Sequence, residues 1–377
     1  MSDGTRPPLL SDEQRLAWLQ LIRSDNVGPA TFRDLVNHFG SAERALREMP
    51  GLSRRGGAKR AIKIADPDDA KRELDGVREL GGEIIALGEY GYPVALRHVD
   101  APPPLLAVVG DFSIMERPTL AVVGSRNASI AGKKMAREIA RGVGEAGYSI
   151  ASGLALGIDG AAHSAALKTG TVAVFASGID RVYPRDHRPL MREILEFGGA
   201  AVSEMPFGWE PRPRDFPRRN RIVSGMALAV LVIEAAERSG SLHTARFAAE
   251  QGRDVLAVPG SPLDPRAAGC NRLIQEGAVL ITSIEDVLAV LEPLRERPVD
   301  DWSGELEEAM SVHDNISDPG DDDRSVVTQA LGVAPVEIDE LIRETGLPAR
   351  TVQVILLELE LAGRLERHGQ GSVSLVM

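Results

Sequence analysis

The sequence predicts a doubly wound α/β domain between a helical N-terminal part and a C-terminal winged helix. Three observations carry this. Short apolar runs alternate with helical stretches from about residue 83 to residue 281. Several runs, such as Leu228-Ala229-Val230-Leu231-Val232-Ile233, are apolar on both faces, as a central parallel strand requires. Beyond residue 324, two helical patterns meet at Gly346-Leu347-Pro348 and two short strand-like runs follow.

The first part spans residues 1–80. Leu16, Leu19 and Ile22 recur at helical spacing. Gly28-Pro29 ends that helix, and Phe32, Leu35, Val36 and Phe39 start an amphipathic second one. Met49-Pro50-Gly51-Leu52 repeats the turn chemistry, so another turn is expected there. This is the pattern of a helix-hairpin-helix or SAM-like bundle. Such a hairpin can hold a DNA phosphate on free N–H groups at a helix N-terminus. It can equally be a packing or dimerisation module, and the residues leave both open.

The second part, residues 81–298, reads as an extended Rossmann-like domain. Strands are expected at 105–109, 120–123, 149–151, 172–176, 201–202, 228–233, 255–258 and 279–281, with helices such as 130–146, 157–168 and 242–251 between them. Residues 83–87 and 93–96 are expected to extend the sheet.

The third part, residues 324–377, follows an acidic linker at 299–323. Helical patterns at 336–345 and 349–361 are followed by strands near 363–367 and 372–375, with His368-Gly369-Gln370-Gly371 as the turn of a hairpin wing. The second helix offers only Arg350 as a cation against Glu358 and Glu360. A helix that reads duplex DNA normally carries more positive charge, so a protein-binding or regulatory role is favoured.

The chain has 377 residues and a formal net charge of −12, which taken globally argues against a polyanionic partner. The charge is not spread evenly. Residues 300–323 hold ten acidic residues and no Lys or Arg, while the rest of the chain is close to neutral. That stretch reads as a solvated spacer, with an acidic DNA mimic as the alternative. The single cysteine, Cys270, rules out a disulfide scaffold, reads as a small buried hydrophobe and fits a cytoplasmic protein. Residues 1–10 lack a signal-type apolar core, and no window holds the roughly 18 apolar residues of a membrane span, so no membrane partner is expected.

In a doubly wound sheet, ligands gather outside the carboxyl ends of the strands. Gly124-Ser125-Arg126 follows the second of these strands: glycine admits a phosphate to the backbone, Ser125 donates, and Arg126 supplies a bidentate charge. Ser152-Gly153-Leu154 and Ser239-Gly240-Ser241 put small residues at further helix starts. Singly these are ordinary tight turns; on one sheet edge they form an anion-binding rim. Between Arg212 and Arg221 lie Arg212, Arg214, Arg218, Arg219 and Arg221 against one Asp, with Phe216 in the middle. Prolines suggest a stiff, extended loop whose cations follow phosphates while a base stacks on Phe216, the requirement for single-stranded nucleic acid. Alternatively Phe216 belongs to the core, and Asn220 and Arg221 brace the segment. His163, His187 and His243 are scattered and read as structural, and Asp159 reads as a helix cap. No dinucleotide fingerprint and no Walker lysine are present. Neither a metal, a cofactor nor catalysis is expected.

Several runs together resemble the DNA-processing protein A (DprA/Smf) family. They are Gly124-Ser125-Arg126, the stretches 152–163 and 178–184, Phe216-Pro217-Arg218-Arg219-Asn220-Arg221 with its continuation to 225, and the stretches 239–245, 258–260 and 269–274. The likeness covers the α/β domain end to end, and both flanking parts match longer members. The resemblance implies a non-enzymatic single-stranded-DNA-binding protein that protects incoming strands and loads the RecA recombinase in natural transformation and DNA recombination. It also implies a homodimer formed through the α/β domain. Arg126, Arg214, Arg218 and Arg219 would contact phosphate, and Phe216 would stack on a base. Where a lysine often precedes the phenylalanine, Arg212 and Arg214 are both available. Two other functions compete. A LOG-like nucleotide phosphoribohydrolase needs a Pro-Gly-Gly-x-Gly-Thr turn that residues 239–244 do not match. A winged-helix DNA-binding regulator would rely on the third part alone.

Overall fold

A computed structural model of the chain describes residues 10–296, 319–368 and 371–376. Two compact units emerge. One is built mainly from residues 73–303; the other brings residues 10–72 together with residues 304–377. The helical first part and the winged third part fall together in the second unit.

The first unit is a nine-stranded sheet. Its strands are β1 (Gly82–Ala86), β2 (Leu105–Gly110), β3 (Thr119–Gly124), β4 (Ser149–Ser152), β5 (Thr171–Val174), β6 (Ala200–Ser203), β7 (Ala229–Ile233), β8 (Asp254–Ala257) and β9 (Val279–Leu280), in the order β1-β2-β6-β5-β4-β3-β7-β8-β9. From β6 to β9 all neighbours are parallel, and β1 and β2 add an antiparallel edge. Helices α5 (Ile130–Glu145), α6 (Ile158–Ala166), α7 (Arg188–Glu196), α8 (Asp215–Gly225), α9 (Ser241–Glu250), α10 (Ala268–Gln275) and α11 (Ile284–Arg295) connect the strands, and α4 (Pro67–Glu79) leads into β1. Leu120, Val122, Leu231 and Ile233 meet Ile139, Val143, Ile158 and Val287 in the main core. Cys270, on α10, is buried with its Sγ 3.7 Å from the Val232 carbonyl, and burial pushes its thiol up to about 11.

Adjacent β3 and β7 send the chain to opposite sides of the sheet, β3 towards β4 and β7 towards β8. That divergence opens a crevice beyond their carboxyl ends. The turn into α6 closes one wall of it. Gly157 adopts φ +83°, and a Cβ there would lie 2.2 Å from the Ser125 carbonyl oxygen, so only glycine lets the two loops touch.

Three expectations for this unit are corrected. Residues 93–96 are not a strand: Pro93 has no N–H to give a ladder, Leu96 N–H donates to the Pro93 carbonyl at 3.1 Å, and a 3₁₀ turn, Ala95–His98, forms instead. The Arg-rich segment is not extended throughout; from Asp215 it is the helix α8, with Arg212 and Arg214 before it. Strand 172–176 ends at Val174.

The second unit holds α1 (Asp12–Ile22), α2 (Pro29–Phe39) and α3 (Ala42–Arg55), then α12 (Asp321–Ala330), β10 (Val336–Glu337), α13 (Ile338–Thr345), α14 (Ala349–Leu361), β11 (Leu365–His368) and β12 (Ser372–Leu375). The last three strands form the sheet β10-β12-β11. The expected turn at 49–52 lies inside α3, because Ala45, Leu46, Met49 and Leu52 are all buried and their packing outweighs Pro50. Residues 321–323, expected to end the acidic linker, form the first turn of α12, where three carboxylates complement the positive end of the helix dipole. Residues 299–318 of that linker lie outside the described residues. Residues 336–337 belong to β10 and not to the helix that follows.

Gly157→Ala is expected to cost roughly 1–3 kcal/mol from backbone strain, before any clash with Ser125. Urea denaturation of the variant against the parent chain measures it.

Candidate nucleic-acid interface

The crevice encloses about 530 Å³ and is lined by residues following three strands, β3, β4 and β7, and by the helix α8, including Gly124, Ser125, Arg126, Gly153, Phe216, Arg219, Ser239, Gly240 and Ser241. The structure therefore brings together nine of the thirteen residues singled out in the sequence. Arg212, Arg214, Arg218 and Arg221 lie outside this lining.

The floor is built on charge. Asp159, in the first turn of α6, is buried, and its Oδ2 accepts the amides of Gly153 and Ala155 at 3.2 Å each. Burial raises its carboxyl above the usual range, opposed by Arg219 and by those amides. Arg219 is buried beside it and donates Nη1–H to the Val174 carbonyl at 2.7 Å. Burial lowers the guanidinium to about 10, with Asp159 opposing and Arg126 adding to the fall, so it stays a cation at neutral pH. A Cβ on Gly153 would sit 1.9 Å from Arg219 Nη1. Gly153 thus makes room for Arg219 and commits its amide to Asp159.

The rim is polar and faces outward. Glu234 fixes the turn after β3: its backbone carbonyl accepts Ser125 N–H at 2.7 Å, and its carboxylate accepts Ser129 N–H at 2.8 Å and the Ser129 hydroxyl. Opposite, Ser239 Oγ and Ser241 Oγ lie 2.7 Å apart at the start of α9. Asn220 Nδ2 donates to the Gly240 carbonyl at 3.3 Å. The exposed rim cations are Arg126 and Arg238.

At the mouth, the Arg126 guanidinium lies 5.2 Å from the centre of the half-buried Phe216 ring. Tyr183 stands 5.7 Å from the same ring in a tilted arrangement. Tyr183 is 48% exposed. An apolar platform flanked by a cation and opened to solvent suits a planar base with a phosphate beside it.

The remaining arginines serve other contacts. Arg218 and Arg221 both pair with Glu204, the former at 3.1 Å, and Arg221 Nη1 also donates to the Ala101 carbonyl at 3.3 Å. Arg212 stacks 4.4 Å from the Trp209 ring centre. Asp215 Oδ2 ties this corner by accepting Trp209 Nε1–H and Arg212 N–H, each at 2.8 Å. Arg214 is exposed just before α8. Tyr183, Asn127, Arg238 and His243 belong to the crevice or its mouth without having been singled out as binding residues. Their segments carry the family-like runs or adjoin them, but only the fold sets Tyr183 against Phe216.

His163 lies wholly buried behind this floor, with Nδ1 2.7 Å from Thr171 Oγ1. Burial, with His187 and Arg219 adding to it, lowers it from 6.5 to about 3. His187 donates Nδ1–H to the Leu154 carbonyl at 2.8 Å. Among the described residues no group of three His, Cys, Asp or Glu could hold a metal ion, and no helix is long and apolar enough to cross a membrane.

Comparison with known proteins matches each of the three parts of the chain. The family described as DNA recombination-mediator protein A matches residues 83–292, a DprA-like N-terminal HHH domain matches 12–76, and a DprA winged helix domain matches 313–371. The chain is 39% identical over 292 residues to Protein Smf of Escherichia coli, covering 75% of each. It is 33% identical over 375 residues to a putative DNA processing protein DprA of Mycobacterium tuberculosis, covering 94% of this chain and 93% of the relative. The X-ray structure of DNA processing protein A from Streptococcus pneumoniae superposes with a TM-score of 0.54 at 40% identity, over 59% of this chain and 77% of that one. A structure of DNA processing protein A from Helicobacter pylori, described for its single-stranded DNA binding mode, gives 0.50 at 28% identity, over 53% and 93%.

Because the unfolded chain takes up a proton near pH 6.5 and the folded chain holds His163 neutral down to about 3, stability is expected to fall as pH drops through that window, by up to about 1.4 kcal/mol per pH unit. His163→Gln should flatten that part of the profile in urea titrations at successive pH values.

Proposed function

The chain belongs to the DNA recombination-mediator protein A family, and on that footing we propose that it binds single-stranded DNA in the crevice beyond β3 and β7. The observation that carries the proposal is Arg126 over Phe216 at the mouth of a serine-lined rim. A single strand offers what this geometry can use: a base for the Phe216 and Tyr183 faces, and a phosphate for Arg126 and for the start of α9. A duplex keeps its bases stacked inside and offers Phe216 no free face. The Helicobacter pylori relative, described for its single-stranded DNA binding mode, supports the same substrate class.

The finer role follows the resemblance. The bound strand is protected and passed to a RecA-type recombinase, the protein works as a cytoplasmic homodimer paired through its α/β domain, and no bond in the DNA is made or broken. Arg126 and Arg238 reach the strand directly. Arg219 acts from the floor as a fixed positive potential. Arg214 and Arg218 extend the cationic path outside the crevice, with Arg212 and Arg221 holding the segment in place through Trp209 and Glu204.

Binding to single- and double-stranded oligonucleotides across a salt series tests this. The parent chain is expected to prefer the single strand. Arg126→Ala should weaken binding and lower the slope of log affinity against log salt by about 0.7. Phe216→Ala should weaken single-strand binding by roughly 5- to 150-fold, as a stacked base is worth about 1–3 kcal/mol, and Tyr183→Ala by less. Unchanged affinity in all three variants would remove the crevice as the binding site.

A further inference from the structure

We propose that the second helix of the winged helix, α14, is a docking face for the N-terminal bundle of the same chain and not a reader of duplex DNA. A reading helix must turn a polar, cationic face outward. Here Val352, Ile355, Leu356 and Leu359 fill the winged-helix core. Val354, Leu357, Glu358 and Leu361, spaced i, i+3, i+4 and i+7, are buried as well. A helix buried on both faces has a second partner, and here that partner is α3, with α2 beside it.

The seam is specific. Glu358, with no exposed surface, holds Arg55 of α3 at 2.8 Å and Arg324 of α12 through two contacts of 2.8 and 2.9 Å. Arg367 of the wing reaches both Glu360 at 2.9 Å and Asp34 of α2 at 2.6 Å. Thr31 donates its hydroxyl to Glu360 at 2.7 Å. The Leu361 carbonyl, at the open end of α14, accepts from Asn26 Nδ2 at 3.1 Å and the Ser53 hydroxyl at 3.2 Å, so the bundle caps the helix. Arg364 Nη1 returns a bond to the Gly56 carbonyl at 3.0 Å.

Gly56 shows how close the two backbones come. Its φ is −67°, which any residue adopts, so no turn requires glycine there. A Cβ on it would lie 2.0 Å from the Glu358 carbonyl oxygen and 2.4 Å from that carbonyl carbon. Backbone on the far side cannot move aside as a side chain can. The two ends of the chain therefore clasp one another, although the whole α/β domain separates them in sequence.

A site-specific protease sequence placed between residues 305 and 306 of the full chain tests the clasp. After cleavage the C-terminal fragment should remain with the rest through gel filtration at low salt. Gly56→Val should release it, with at least 100-fold weaker retention and unchanged helical content by circular dichroism. Asp34→Ala, which removes one half-buried partner of Arg367, should weaken retention several-fold. Duplex oligonucleotide affinity should be the same in Gly56→Val as in the parent. The proposal is overturned if the parent fragment elutes alone, or if Gly56→Val retains it as the parent does. A tenfold or greater gain of duplex affinity on release also overturns it, because that would reveal a masked reader.

Discussion

Two buried, electrostatically coupled charges, Asp159 and Arg219, set the geometry of the crevice. Asp159 gathers the amides of Gly153 and Ala155 and so shapes the turn between β4 and α6. Arg219 anchors α8 to β5 through the Val174 carbonyl. Neither charge could be buried alone, since an unpaired ion in the interior carries a large desolvation cost. Each offsets part of the other's burial cost, and each is hydrogen-bonded to a different loop. Phe216 sits one turn before Arg219 on α8, so the same pair fixes the aromatic platform relative to the Gly124-Ser125-Arg126 turn.

Much of this was legible in the sequence because the relevant signals are local. Strands such as β3 and β7 are apolar on both faces and bounded by turn residues, so their type and rough limits follow from the pattern alone. Gly124, Ser125, Arg126, Ser239, Gly240 and Ser241 could be placed on one rim because ligands in doubly wound sheets sit at strand ends. Tertiary effects were not legible. Pro50 reads as a turn, yet its neighbours' burial keeps α3 continuous. The prolines around Phe216 read as an extended loop, yet Asp215 begins a helix there. Five arginines between residues 212 and 221 look alike in sequence; the fold sends Arg219 to the floor, pairs Arg218 and Arg221 with Glu204, stacks Arg212 on Trp209 and leaves Arg214 in solvent. Tyr183 meets Phe216 only because two distant strand ends adjoin.

Charge distribution follows the same division of labour. The net acidity is concentrated in residues 300–323 of the sequence, and the crevice keeps its cations at the rim and floor. In the other unit, arginines and glutamates are used inwardly. Glu358 and Glu360, which in the sequence argue against a DNA-reading helix, take up Arg55, Arg324 and Arg367. The two units thus put the same residue types to different uses, one at an outward-facing rim and one inward as a seam.

Hydrogen–deuterium exchange of the full chain, with and without a short oligothymidylate, tests the central claim most directly. Strand binding at the crevice predicts new protection in residues 124–130, 212–220 and 238–244, with no change across 349–361. Protection confined to the winged helix or the N-terminal bundle, with the three crevice segments exchanging as in the free protein, would contradict it.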